Sequence, residues 1–343
     1  MALRQTESSH EASLGHVFLS IVLPCYNEAE VLNQTHTRLQ SLFAGVATNW
    51  QQFHLECPPN LEVIYVNDGS KDGTLEILQT FADKSTTTDS TQTVRVVSFS
   101  RNFGHQAAIA AGLLHAKGEW VATIDADLQD PPEIVLEMLK LALAERLDVV
   151  HGKRKTREGE TVFKRFTAYC FYRLLNWLSG GRALNDVGDF RIMSRRVVQA
   201  INRLPERSLY LRGLLPELGY PQKSLEYDRP ARAAGITKYT LPKMIALAFE
   251  GITAVSVSPL KIGLAFGAFT AVACICYVFA IIVIKAFDPS FAVRGWPSLM
   301  VAVLFLGAVQ LLSIGILGEY IGQIHREVKH RPRFFVDEKQ SRL

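Results

Sequence analysis

Cysteine is scarce in this chain, and none of it is arranged for zinc. Cys25, Cys57, Cys170, Cys274 and Cys276 show no zinc-ligand spacing, and two of them lie inside an apolar run. No disulfide framework is expected, which suits a reducing compartment. Met1 to His16 lacks the apolar core of a secretory signal, so the first domain is not expected to be exported. A strong excess of one charge is also missing, the net charge being +4. That excludes nucleic acid as an expected partner and suits contact with an anionic membrane face. No G-x-x-x-x-G-K-[ST] and no strand-linked G-x-G-x-x-G occurs, so neither a P-loop nor a dinucleotide cradle is expected. There are no internal repeats.

What is present divides in two. Mean hydropathy is +0.11 although 20% of residues are charged, the signature of a soluble part joined to a strongly apolar one. In the first part, short β-branched runs alternate with helical patterns. Strands are expected at Phe18–Leu23, Leu61–Val66, Val94–Phe99, Trp120–Ile124 and Asp148–His151. Helices are expected at Glu28–Phe43, Thr74–Phe81, Gln106–Ala116 and after Pro131-Pro132. Such alternation predicts an α/β domain with a Rossmann-like, mainly parallel sheet. Ligands of such sheets bind beyond the carboxyl ends of the strands. Asn27, Glu28, Asp68, Ser100, Arg101, Asp125 and Asp127 all fall at or just past those ends.

The pair Asp125 and Asp127 closes the fourth strand. An i, i+2 spacing on a strand end puts both carboxylates on one face. Two hard oxygen donors there suit Mg²⁺ or Mn²⁺, ions that complete their shell with water and substrate phosphates. Asp68, in Asn67-Asp-Gly-Ser70, is either a turn residue or an acceptor for a uracil-type N–H. Gly104-His105-Gln106 opens a helix whose free N–H groups suit an anion, with His105 either a ligand contact or a polar helix start. Asn185-Asp186-Val-Gly-Asp189-Phe-Arg191 reads as a site loop whose carboxylate can serve as general base or orient an acceptor. Arg229, Arg232 and Lys238 form a basic cluster able to clamp a phosphate.

Beyond residue 150 the pattern becomes amphipathic, then apolar. Phe163 to Leu178 mixes aromatic residues with Lys164, Arg165 and Arg173, and Leu241 to Val257 is similar but less charged. Both are expected to lie in a membrane interface, the alternative being core helices on the sheet. Ile262 to Ile284 and Ser298 to Gly318 are each long enough to span about 30 Å of hydrocarbon. Lys243, Lys261 and the tail residues Arg326, Lys329, Arg331, Arg333, Lys339 and Arg342 outweigh Lys285 and Arg294 between the spans. That bias predicts an integral protein of the plasma (inner) membrane, with both termini and the catalytic domain in the cytoplasm. The expected divisions are a tail at 1–17, a catalytic domain at 18–230, an acceptor loop and second interface helix at 231–258, two spans within 259–318, and a tail at 319–343.

Several motifs together carry a resemblance. Pro24-Cys-Tyr-Asn27-Glu28, Val66-Asn-Asp68-Gly-Ser70, Ser100-Arg-Asn-Phe-Gly104, Asp125-Ala-Asp127-Leu-Gln129-Asp130-Pro-Pro132 and Gly188-Asp-Phe-Arg191 resemble family 2 glycosyltransferases of the GT-A fold. The tail Gly318-Glu-Tyr-Ile-Gly-Gln-Ile-His-Arg-Glu-Val-Lys329, with Arg331-Pro332, resembles the polyprenyl-phosphate glycosyltransferases, in their bactoprenol glucosyltransferase branch, related to dolichol-phosphate mannose synthase. The resemblance runs from residue 18 to 336. It implies an inverting enzyme that moves a hexose, glucose favoured, from a UDP-sugar to undecaprenyl or another polyprenyl phosphate, with Mg²⁺ or Mn²⁺ as cofactor. By that resemblance Pro24, Tyr26, Glu28 and Asp68 hold the nucleoside, with Arg101 beside them. Asp125 and Asp127 manage metal and diphosphate, Gln129 lies near the sugar, Asp189 is the candidate base, and Arg229, Arg232 and Lys238 take the lipid phosphate. An acceptor phosphate is already anionic, which weakens the need for a base.

The chain departs from relatives in two places. It reads Gly235-Ile-Thr-Lys238 where Gly-Glu-Ser-Lys is common, and His105 stands where lysine is frequent. A processive polysaccharide synthase would carry a Q-x-x-R-W segment and more spans. Other donors (GDP-mannose, aminoarabinose or GlcNAc types) and a non-enzymatic membrane scaffold are the remaining alternatives. Two short spans give a long lipid little shelter, so a homo-oligomer is expected.

Overall fold

The computed structural model describes residues 17–53, 55, 58–87, 92–155, 187–206, 211–228, 258–287 and 295–343. The amphipathic segments Phe163–Leu178 and Leu241–Val257, and the basic residues Arg229, Arg232 and Lys238, lie outside the described residues. The chain divides into two compact units. The first contains the sheet and takes in Pro332–Leu343; the second contains two long helices.

In the first unit, β1 (Val17–Cys25) leads through α1 (Leu32–Thr48) and a short 3₁₀ turn (Trp50–Phe53) to β2 (Asn60–Asn67). Then follow α2 (Thr74–Thr87), β3 (Gln92–Ser98), α3 (His105–His115), β4 (Trp120–Thr123), α4 (Ile134–Glu145) and β5 (Val149–Arg154). After these come β6 (Val187–Ser194), α5 (Arg195–Arg203), α6 (Leu211–Glu217) and β7 (Gln222–Tyr227). The strands form one sheet in the order β3-β2-β1-β4-β6-β5-β7. Val, Ile and Leu fill β1 and β2 because both faces are covered. Leu19, Ile21, Leu23 and Ile64 have no exposure, each such side chain contributing about 1.5–3 kcal/mol.

Two features of this order place the site. The chain winds outward from β1 through β2 to β3, then returns to add β4 on the other side of β1. Ile21 pairs with Val63 on one side and Ala122 on the other. The reversal opens a crevice at the carboxyl ends of β1 and β4. The second feature is one reversed strand within the expected mainly parallel sheet: β6 runs antiparallel to both β4 and β5. The stretch expected as a site loop, Asn185 to Arg191, is strand from Val187 onward. Phe190 and Ile192 enter one core while Met193 enters the other, the alternation of a strand buried on both faces. Because β6 is reversed, its start lies at the carboxyl end of β4, with Thr123 opposite Arg191.

In the second unit, α7 (Ser258–Phe287) and α8 (Trp296–Val328) touch; an added Cβ at Gly263 would meet Ser313 Oγ at 3.9 Å. Gly263–Ile284 and Leu299–Val328, with mean hydropathies of 2.6 and 2.4, are long and apolar enough to cross a membrane.

Candidate active site

The loops after β1, β2 and β3 are tied together by hydrogen bonds. Asn27 takes a left-handed conformation (φ 55°), which asparagine tolerates better than most residues. Its N–H donates to Ser70 Oγ at 3.0 Å, and its Oδ1 accepts from Lys71 N–H at 2.8 Å. Glu28 N–H donates to Thr74 Oγ1 at 2.9 Å. Asp68 is buried and accepts from the N–H groups of Phe103 (2.6 Å) and Gly104 (3.0 Å). Burial raises its pKa, and those two bonds pull against it. Asp68 is therefore an anchor for the loop after β3. Gly69 makes this approach possible: at φ +64° an added Cβ would stand 2.4 Å from the carbonyl carbon of Arg101. Around these loops, Pro24 is buried in β1, Glu28 is half-buried, and Tyr26 and Arg101 are exposed. The Arg101 guanidinium lies 4.1 Å from the Phe103 ring centroid.

The turn after β4 carries the paired carboxylates. Leu128, between Asp127 and Gln129, has φ 57°, a strained conformation for a bulky side chain of the kind that clusters at functional sites. The turn is closed by Gln129 N–H donating to Asp127 Oδ1 at 3.1 Å. Loss of hydration pushes the Asp125 carboxyl up to about 6, against the pull of His105, with Asp130, Asp127 and Asp189 adding to the rise. Four carboxylates thus crowd one spot. A divalent cation there would relieve the repulsion, and Asp125 and Asp127 offer the hard oxygens it needs. Among the described residues no group of three or more His, Cys, Asp or Glu side chains forms a metal cage. Asp125 and Asp127 are two carboxylates of the kind that such an ion takes alongside substrate phosphates.

Opposite this pair stands Asp189, carried into the crevice by the reversed β6. Its Oδ1 accepts from Arg191 Nη2 at 2.8 Å, and its Oδ2 accepts from Arg212 Nη2 at 2.9 Å and Gln106 Nε2 at 3.0 Å. His105 Nε2 lies 3.4 Å from Asp189 Oδ2 and 3.6 Å from Asp125 Oδ1. Burial works to raise the Asp189 pKa, but His105, Arg191 and Arg212 outweigh it and hold the carboxyl well below the usual range. A general base works best with a pKa near the operating pH, and the direction of this shift is away from it. For His105, burial favours the neutral ring, yet Asp189 and Asp125 prevail and its pKa is raised. The two carboxylates favour the charged form of the ring at this position.

Arg212 went unmarked in the sequence. It begins α6, its side chain 38% exposed, while Leu211 and Leu215 beside it are buried. The i, i+4 leucines fix the helix's inner face and leave Arg212 at its border. That is the one local signal, and it does not name a partner 23 residues earlier.

Comparison with known proteins agrees with this architecture. Residues 20–201 match the model for glycosyl transferase family 2, and residues 258–324 match the GtrB C-terminal hairpin. An uncharacterized glycosyltransferase of Bacillus subtilis, YkcC, is 41% identical over 323 residues, covering 94% of each chain. The bactoprenol glucosyl transferase of Shigella phage SfV is 41% identical over 325 residues, covering 94% of this chain and 99% of that one. A prophage bactoprenol glucosyl transferase homolog of Escherichia coli is 38% identical, covering 93% of this chain and 98% of its own. The chain belongs to glycosyl transferase family 2.

Proposed function

We propose that this chain transfers a hexose, glucose first, from a UDP-sugar to a polyprenyl phosphate at the cytoplasmic face of a membrane. The observation that carries the reading is the pairing of two groups in one crevice. Asp125, beside Asp127 in the turn, lies 3.6 Å from His105, and Asp189 holds both His105 and Arg212. A metal-bridged diphosphate and a second anion are the ligands such a site attracts. Two long apolar helices in the same chain, and relatives named for bactoprenol, support a lipid phosphate as that second anion.

In this reading the loops holding Pro24, Tyr26, Glu28, Asp68 and Arg101 form the nucleoside wall. Asp125 and Asp127 would hold Mg²⁺ or Mn²⁺, which supplies charge neutralisation at the diphosphate when bound. Gln129 faces the sugar. An oxygen of the acceptor phosphate attacks the anomeric carbon, the bond to the diphosphate oxygen breaks, and UDP leaves with the electron pair, inverting the centre. No proton need be removed from a phosphate dianion, which agrees with the depressed pKa of Asp189. Its task is to aim Arg212 and His105 at the charge in the crevice, pre-organised donors being worth most where water is thin. Arg229, Arg232 and Lys238 complete the hold on the acceptor phosphate, and the chain works as a homo-oligomer.

The test is a panel of sugar nucleotides offered to purified protein in detergent with undecaprenyl phosphate and Mn²⁺, the lipid product weighed by mass spectrometry. A hexosyl phospholipid from UDP-glucose is expected. Product from another donor alone would correct the sugar, and none from any donor would leave a scaffold as the better account.

A further inference from the structure

The last twelve residues, read in the sequence only as a tail, return to the sheet. β3 is an edge strand, and Pro332–Leu343 covers it. Val96 N–H donates to Arg342 O at 2.7 Å and Arg342 N–H donates back to Val96 O at 2.8 Å. Asp337 N–H donates to Ser98 O at 2.7 Å, and Ser100 N–H donates to Phe335 O at 3.0 Å. Antiparallel bridges form at Val96–Arg342 and Phe99–Val336. Sealing an edge is a general need of sheets, but these contacts continue inward to the loops of the candidate nucleoside wall.

Two routes lead there. One is polar: Ser98 Oγ donates to Gln340 Oε1 at 3.2 Å and accepts from Asn67 Nδ2 at 3.0 Å. Asn67 Oδ1 in turn accepts from Ser70 N–H at 3.1 Å, and Ser70 Oγ accepts from Asn27 N–H. The other is aromatic: Phe334 stacks on Phe99 with centroids 4.9 Å apart. Phe99 meets Phe103 edge-on at 5.7 Å, and Phe335 tilts against Phe103 at 6.0 Å. Phe103 is the residue whose N–H binds Asp68 and whose ring lies under Arg101. Both routes end on loops that carry candidate donor-binding groups.

We propose that Pro332–Leu343 is a positioning element for the nucleotide-sugar, with Phe334 and Gln340 acting through Phe99–Phe103 and Ser98–Asn67. The inference rests on the donor-site reading above. It predicts a split: removing the tail's contacts weakens the donor and leaves the lipid phosphate alone. Rings in such a stack add energy beyond their buried area, and loss of one is expected to raise the donor KM about tenfold.

The experiment uses the full chain in detergent, a chain ending at Arg331, and the variants Phe334→Ala, Phe334→Tyr and Gln340→Ala. UDP affinity, KM for UDP-glucose and KM for undecaprenyl phosphate are measured alongside the melting curve. Phe334→Ala and the shortened chain are expected to bind UDP and UDP-glucose about tenfold more weakly with the lipid KM unchanged. Phe334→Tyr should keep normal donor binding, and a peptide of residues 332–343 added to the shortened chain should restore it. Donor KM within twofold of the full chain in a folded variant overturns the proposal. So does an equal loss of donor and lipid binding in Phe334→Ala, which would mark the tail as general scaffolding. Failure of the donor-site reading shows separately, because the full chain itself would then not bind UDP.

Discussion

Ile21, Leu23 and Ile64 in the sheet are wholly buried, whereas Leu264, Phe269 and Leu311 on the two long helices are 76%, 71% and 72% exposed. The sheet satisfies its apolar side chains internally and brings Asp68, Gln129 and Asp189 to the carboxyl ends of its strands. The helices do the reverse, turning apolar side chains outward along their length. A sheet of this kind is complete in water. An apolar solvent suits the helices, because every backbone group bonded within the helix is an advantage there. The two regions are thus of opposite design.

The sharpest test of the first region is Asp127→Ala. Transfer is expected to fall about a thousandfold or more while the protein stays folded, read as UDP release beside a melting curve. Near-normal turnover would show that these strand ends are not the reaction centre. The contrast itself can be broken by one matched pair. Leu311→Arg is expected to cost about 2.5–3.5 kcal/mol of membrane insertion, seen as loss from alkali-washed membranes. Leu114→Arg, at an exposed leucine on α3, is expected to change stability by no more than about 0.5 kcal/mol. Equal tolerance at both sites would erase the distinction between the regions.

Within the crevice, Arg212→Ala is expected to lower kcat about a hundredfold. Asp189→Asn should do likewise, because it frees the same guanidinium. The rate between pH 6 and 8 should show no rising limb from Asp189, whose folded pKa lies well below that range. A limb that disappears in Asp189→Asn would restore the base. A smaller effect than these losses of rate concerns Asp125, whose carboxyl is shifted up to about 6 from an ordinary value of about 3.9. A raised carboxyl favours the fold in its protonated form, so that stability is present at low pH and lost as the pH rises through 6. Metal-free Asp125→Asn should therefore melt a few degrees above the parent at pH 7.5, the gap closing toward pH 5. Mn²⁺ should raise the parent's melting point at pH 7.5 and leave the variant's nearly unchanged.

The parts legible in the sequence are those whose signal is local. Phe18–Leu23 and Leu61–Val66 declare themselves by β-branched runs, and Asp125 and Asp127 by two-residue spacing at a strand end. β6 was harder to see. Val187-Gly-Asp-Phe-Arg191 mixes small, acidic and basic residues, and what makes it a strand is pairing with β4 and β5. Its reversal also decides that Asp189 faces Asp125, a fact of topology with no local mark. The tail is the extreme case. Val96 and Arg342 pair across most of the chain, and neither segment alone announces the other. Asp68 shows the subtler limit: its type and position were evident, but its bonds to Phe103 and Gly104 depend on how two loops meet.

The central claim is that an anion on a lipid, and not an activated alcohol, is the acceptor. The most direct measurement compares UDP release from UDP-glucose with undecaprenyl phosphate, with undecaprenol, and with no lipid. Release that depends on the phosphate, with the alcohol no better than the blank, is the predicted result. Release that is equal with the alcohol or without lipid would contradict it.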